Sequence, residues 1–223
     1  MKTNQELQTD VQNAIKWEPL MNSTEIGVTA KDGIVTLSGI VDRYAKKIEA
    51  EKAAKKVIGV KALVENIEVR FTNEWNKSNT DIAADALSAI KNTWSVPHDK
   101  VKVVVEDGWV TLEGELHWNY QREAAKNSVS YLLGIKGVID NIKIKSESKS
   151  IIHQKEVQEA IARSWSVDDT NIEVAVEGTT VTLTGTVDSW YQKDEAERIA
   201  WNTPGIWHVK NELSVDYYAN LVE

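Results

Sequence analysis

One ten-residue pattern occurs three times in this chain, and it constrains the fold more than any other feature. The copies are Gly33-Ile34-Val35-Thr36-Leu37-Ser38-Gly39-Ile40-Val41-Asp42, Gly108-Trp109-Val110-Thr111-Leu112-Glu113-Gly114-Glu115-Leu116-His117 and Thr179-Thr180-Val181-Thr182-Leu183-Thr184-Gly185-Thr186-Val187-Asp188. Their last glycines are separated by 75 and 71 residues. The same offsets align Ile15, Ile90 and Ile161 upstream, then Ile26, Val101 and Ile172. Downstream they align Gly59, Gly134 and Gly205, then Ile67, Ile142 and Leu213. No gap is needed inside a copy. Self-similarity this extended means repeated structural units. The units are residues 1–72, 73–146 and 147–223, joined at 73–80 and 145–150 by short polar stretches.

Each unit reads as helix, strand, strand, helix, strand. Leu7, Val11 and Ile15 recur at helical spacing, as do Ile82, Ala86 and Ile90, and Val157 and Ile161. Two alternating runs follow, and Asp32-Gly33 and Asp107-Gly108 are hairpin turns in which glycine takes positive φ. Glu177-Gly178-Thr179 predicts the same loop length with a different turn type. A second helix starts near Asp42, His117 or Asp188, and stops at Gly59 or Gly134. In the third unit Pro204 is expected to shorten it. The last strand spans 63–69 and its equivalents. A strand, helix, strand passage favours a parallel crossover. The expected fold is α+β: three tandem αββαβ repeats, each with two helices packed on a mixed three-stranded sheet.

A unit of this order, with V-T-L-x-G-x-V-D followed by a helix ending at G-V/I, resembles the BON domain (bacterial OsmY and nodulation). The resemblance covers about residues 4–70, 80–145 and 153–216. It implies a bacterial, non-enzymatic protein linked to osmotic or envelope stress. It also implies binding to phospholipid surfaces or to other proteins. Many members carry a signal peptide and act in the periplasm, and some append a peptidoglycan-binding LysM unit. Neither feature occurs in this sequence.

Composition removes other classes. Cysteine is absent, which excludes disulfides, cysteine nucleophiles and thiolate metal sites. The formal charge of −8 argues against broad nucleic-acid binding. No apolar run is long enough to span a bilayer. The polar start predicts a cytoplasmic protein, or a periplasmic one whose signal peptide has been removed. The histidines at 98, 117, 153 and 208 fall on no repeated position and in no ligand spacing, so no metal, cofactor or catalytic residue is expected. Asp42 and Asp188 recur between strand and helix, where a carboxylate caps a helix.

Aromatic and basic residues remain as candidates. The chain has nine Trp against one Phe. Trp94 and Trp165 follow first helices and read as core or cap packing. Trp118, Tyr120, Trp190 and Tyr191 lie at the starts of second helices. Trp201 and Trp207 stand where the first repeat has Lys55 and Lys61, positions expected to face solvent. These six are the candidate contacts with a protein partner, with packing between repeats, and contact with lipid or another ligand, as the other uses for such aromatics. Arg43, Lys46, Lys47, Lys52, Lys55 and Lys56 surround the second helix of the first repeat and form a candidate surface for anionic phospholipid. A sensor of ions or small metabolites is a further alternative. Oligomeric state does not follow from the sequence. Acidity is uneven: residues 147–223 carry 6 basic and 14 acidic groups, so the whole net charge of −8 belongs to the third repeat.

Overall fold

The computed structural model describes residues 2–21, 25–71, 77–145, 154–164, 167 and 171–216. Trp165, His153, residues 73–76 of the first linker and 146–150 of the second lie outside the described residues.

Each repeat folds in the expected order. The first contains α1 (Asn4–Lys16), β1 (Ile26–Lys31), β2 (Ile34–Val41), α2 (Tyr44–Lys55) and β3 (Ala62–Val69). The second contains α3 (Asn79–Asn92), β4 (Val101–Glu106), β5 (Trp109–Leu116), α4 (Asn119–Ser130) and β6 (Gly137–Ile144). The third contains α5 (Gln154–Ala162), β7 (Ile172–Glu177), β8 (Thr180–Val187) and α6 (Trp190–Trp201), and its last strand is split into β9 (His208–Asn211) and β10 (Ser214–Val215).

The middle strand of each sheet is the one that carries the V-T-L-x-G pattern. β4 pairs antiparallel with β5, and β6 pairs parallel with it. β7 and β9 flank β8 in the same way. Two backbone bonds recur in all three repeats. The amides of Lys61, Lys136 and Trp207 donate to the hairpin carbonyls of Gly33, Gly108 and Thr179. Those of Arg70, Lys145 and Asp216 donate to Val41, Leu116 and Val187. Alternation then sets the core: Val35 and Leu37, Val110 and Leu112, Val181 and Leu183 are all fully buried under the helices.

The glycine of the pattern has a specific cause. At Gly39, Gly114 and Gly185 φ is 155°, 148° and 116°. A Cβ there would stand 2.1, 2.1 and 1.9 Å from the carbonyl oxygens of Glu25, Lys100 and Asn171. The crowding comes from the chain entering the neighbouring strand, not from a helix.

The turns match the sequence. Asp32 and Gly33 both have positive φ, as do Asp107 and Gly108, which is the type I′ signature. In the third hairpin only Gly178 does, as in type II′, and the loop is still two residues long because Glu177 pairs with Thr180. Two expectations change. The second helices begin at Tyr44, Asn119 and Trp190, two residues later than read. Pro204 does not shorten α6, which has 12 residues like α2 and α4. Asn202 caps α6, so Pro204 already lies beyond its end.

The molecule divides into two compact units. One comprises Met1–Gly39, Glu49–Ile67 and Lys149–Glu223, so it unites most of the first repeat with the third. The other comprises Ile40–Ile48 and Glu68–Ser148, which places the start of α2 with the second repeat.

Candidate binding surfaces

The entry to each second helix decides where its aromatics point. Gln121 and Gln192 occupy one repeat position. The Gln121 Oε1 accepts the amides of His117 and Trp118, both at 3.2 Å, and the Gln192 Oε1 accepts that of Asp188 at 2.9 Å. Lys46 stands there in the first repeat and pairs with Asp42 at 2.9 Å. In α6 the N-cap is Ser189, whose hydroxyl accepts the Gln192 amide at 3.2 Å. The capping role read for Asp188 is thus taken in α6 by the next residue, Ser189, and Asp42 forms an ion pair with Lys46.

Helix entry in the second repeat leaves Trp118 half-buried, with its ring stacked on Tyr120 at 6.4 Å between centroids. Tyr120 is half exposed to solvent. In the third repeat Trp190 turns to the first repeat. Its Nε1–H donates to the Lys61 carbonyl at 3.1 Å, and the ammonium groups of Lys55 and Lys193 lie 5.9 and 5.3 Å from its ring centroid. Asp194, one turn along, reaches Lys55 at 3.5 Å. Tyr191 stays exposed.

Charges at this joint are unequal partners. Burial pushes the Lys55 pKa down, but the Glu51 and Asp194 carboxylates more than reverse it, leaving Lys55 above the ordinary lysine value. For Asp194 burial dominates and raises the pKa, because Lys55 offsets it only in part and the Glu197 and Glu51 carboxylates add to the rise. Lysine holds two anions here, whereas Asp194 has a single cation.

Trp201 is a correction. It is 8% exposed, not at the surface, and its Nε1–H donates to the Glu197 Oε1 at 3.4 Å. The aligned positions explain why: the Lys55 side chain is only 26% exposed and Ser130 is buried. The site faces inward in every repeat, and a lysine stem can bury there while its ammonium escapes. Trp207 is half-buried, and its indole N–H has no hydrogen-bond partner among the described residues.

Trp94 is the opposite correction. It was expected in the core and is 94% exposed. Thr93, which caps α3, is extended and turns the chain outward, and Val96 supplies the core residue instead. Met21 and Val167 occupy the same repeat position and are also buried. Trp17, at the end of α1, is 85% exposed beside Leu20 at 51%. Sequence reasoning missed Trp17, which aligns with Asn92 and so shows no repetition.

Four lysines of the basic cluster are in ion pairs. Lys46 faces Asp42, Lys52 faces Glu49, Lys55 faces Glu51 and Asp194, and Lys56 faces Glu18, at 2.9–3.7 Å. Arg43 and Lys47 also have polar partners. Among the described residues no group of acidic or histidine side chains could hold a metal ion, and no helix is long and apolar enough to cross a membrane.

The family model of the BON domain matches residues 3–70, 78–146 and 152–217. The chain belongs to the BON domain family. The three matches follow the threefold repeat and the observed αββαβ order. The osmotically-inducible protein Y of Escherichia coli (strain K12) is 31% identical over 129 residues. That alignment covers 56% of this chain and 64% of the relative, so the match spans less than two thirds of that protein. Among solved structures, the C-terminal domain of CdsD, a structural protein of the type III secretion system of Chlamydia trachomatis, covers 96% of the chain at 17% identity. Its TM-score is 0.25, too low to carry an argument.

Proposed function

We propose that this BON protein is a non-catalytic binding or adaptor protein linked to osmotic stress, which contacts a protein partner through exposed aromatics. The stress link rests on its similarity to an osmotically inducible protein. The observation that carries the binding reading is the outward display of large apolar side chains on the second repeat. Trp94, Trp109, Tyr120 and Leu87 are 44–94% exposed on one small, well-packed unit. Burying such rings on a partner gains far more than burying the polar surface around them.

The candidate contacts divide accordingly. Tyr120, with Trp118 behind it, and Tyr191 remain available to a partner. Trp190 is engaged by the first repeat, and Trp201 is buried, so neither is proposed as a contact. The alternative reading keeps Arg43, Lys46, Lys47, Lys52, Lys55 and Lys56 as a surface for anionic phospholipid, where the lipid would have to compete with the carboxylates now paired with four of these lysines.

Affinity capture from osmotically stressed cells tests the reading. Proteins retained by the wild type should be lost with Trp94→Ala and Tyr120→Ala and retained less with Tyr191→Ala. Equal capture by all variants would remove the aromatic surface from the proposal. Co-flotation of the wild type with anionic vesicles at physiological salt would favour the lipid reading. A cytoplasmic location is tested by fractionation of the same cells, and recovery in the periplasmic fraction would replace it.

A further inference from the structure

We infer that the open face of the second repeat's sheet is a self-complementary surface that pairs two copies of this chain weakly, face to face. Every strand presents alternate residues to its two faces, and the helices cover only one. Cross-strand register places Val104 beside Thr111, and Thr111 beside Ile139, on the uncovered face. The next row toward the hairpin is Glu106, Trp109 and Gly137. In the other direction it is Lys102, Glu113 and Asn141. Val104 is 51% exposed, and Trp109 and Ile139 are each 44% exposed.

Trp109 does not wave freely. Its ring lies across Gly137, where a Cβ would stand 2.2 Å from it. Absence of a side chain at Gly137 makes a flat indole platform continuous with the Val104–Thr111–Ile139 row. The third repeat has Ala175, Thr180, Thr182, Lys210 and His208 in the same places, so its face is polar. The platform is therefore not a requirement of the fold.

Charge placement selects the occupant. Consider a second copy turned by half a revolution about an axis lying across the strands through Thr111. Val104, Thr111 and Ile139 then meet their own counterparts. Lys102 of each copy comes opposite Glu106 of the other, twice by symmetry, and each Trp109 lies against the stem of Glu113. Such reciprocity is what a two-fold interface requires. Packed sheets cross at about 30°, which long Lys and Glu side chains can span at this short distance from the axis. Strand spacing and rise give a footprint of roughly 300 Å² per copy, well below the ~800 Å² of a standard interface. Association is accordingly weak, and it becomes half complete only at high-micromolar concentration or above.

Sedimentation equilibrium of the full chain from about 10 μM to about 1 mM tests this. The wild type should shift from monomer toward dimer. Ile139→Lys should remain monomeric with an unchanged thermal midpoint, which separates lost pairing from lost folding. Lys102→Glu and Glu106→Lys should each weaken association roughly five- to tenfold, and the double exchange should restore it to within about twofold. A wild type monomeric throughout the range overturns the inference. A dimer indifferent to these substitutions, or a double exchange weaker than either single one, also overturns it.

Discussion

The second and third repeats build the same scaffold and spend their aromatics in opposite directions. In the second, Trp94, Trp109 and Tyr120 stand outward, and Val104 and Ile139 flank Thr111 on the open sheet face. In the third, Trp201 is buried, Trp190 is bonded to the first repeat, and threonines line the open face. Both repeats keep the glycine against the incoming strand, the twelve-residue second helix and the parallel last strand. On this common scaffold Trp201 has joined the core of the third repeat, while the exposed aromatics of the second are left for contacts. In the third repeat the contact is internal. In the second it is proposed to be external.

The largest effect should come from the buried side. Trp201→Ala removes a buried indole and should cost about 3–5 kcal/mol in denaturant unfolding. A loss under about 1 kcal/mol would mean that the ring is not packed. Next is Trp190→Ala, which deletes a hydrogen bond to Lys61 and the ring faced by two ammonium groups. It should cost about 1–2 kcal/mol. It should also speed amide exchange at Ala62, next to the Lys61 carbonyl, more than at Ile139 in the second repeat.

A pH dependence follows from Lys55. Its folded-state pKa lies above the ordinary 10.5. Its contribution is therefore fully present below pH 10.5 and is lost as pH rises through the higher folded value. The thermal midpoint of the wild type should fall across that range more steeply than that of Lys55→Met. Identical slopes would show that the joint does not depend on this ammonium. The smallest stability effect belongs to Trp94→Ala. With 94% of its surface already in solvent, its removal should change stability by less than about 0.5 kcal/mol while reducing partner capture.

These contrasts also show how far the sequence could be read. The fold was legible because core residues recur at fixed offsets. Ile15, Ile90 and Ile161 are all buried, and so are Val35, Val110 and Val181. The turn types were legible because glycine conformation is local. Aromatic exposure was not. Trp94 and Val96 are two residues apart in a loop, where no periodicity says which one enters the core. Trp201 was misplaced because its counterpart is a lysine, and lysine was taken to mean solvent. At that position the stem of Lys55 is largely covered. The pairing of the cation-rich helix was legible only in part, for a related reason. Its partners Glu18 and Asp194 are distant in sequence, so only folding brings them to Lys56 and Lys55.

Residue-resolved hydroxyl-radical footprinting of the native chain would test most directly whether the two repeats turn their tryptophans in opposite directions. Trp94 should oxidise at a rate near that of a free peptide, Trp109 at an intermediate rate, and Trp201 at least tenfold more slowly than Trp94, a factor of about 10 set by exposure. Comparable rates for Trp94 and Trp201 would contradict the account.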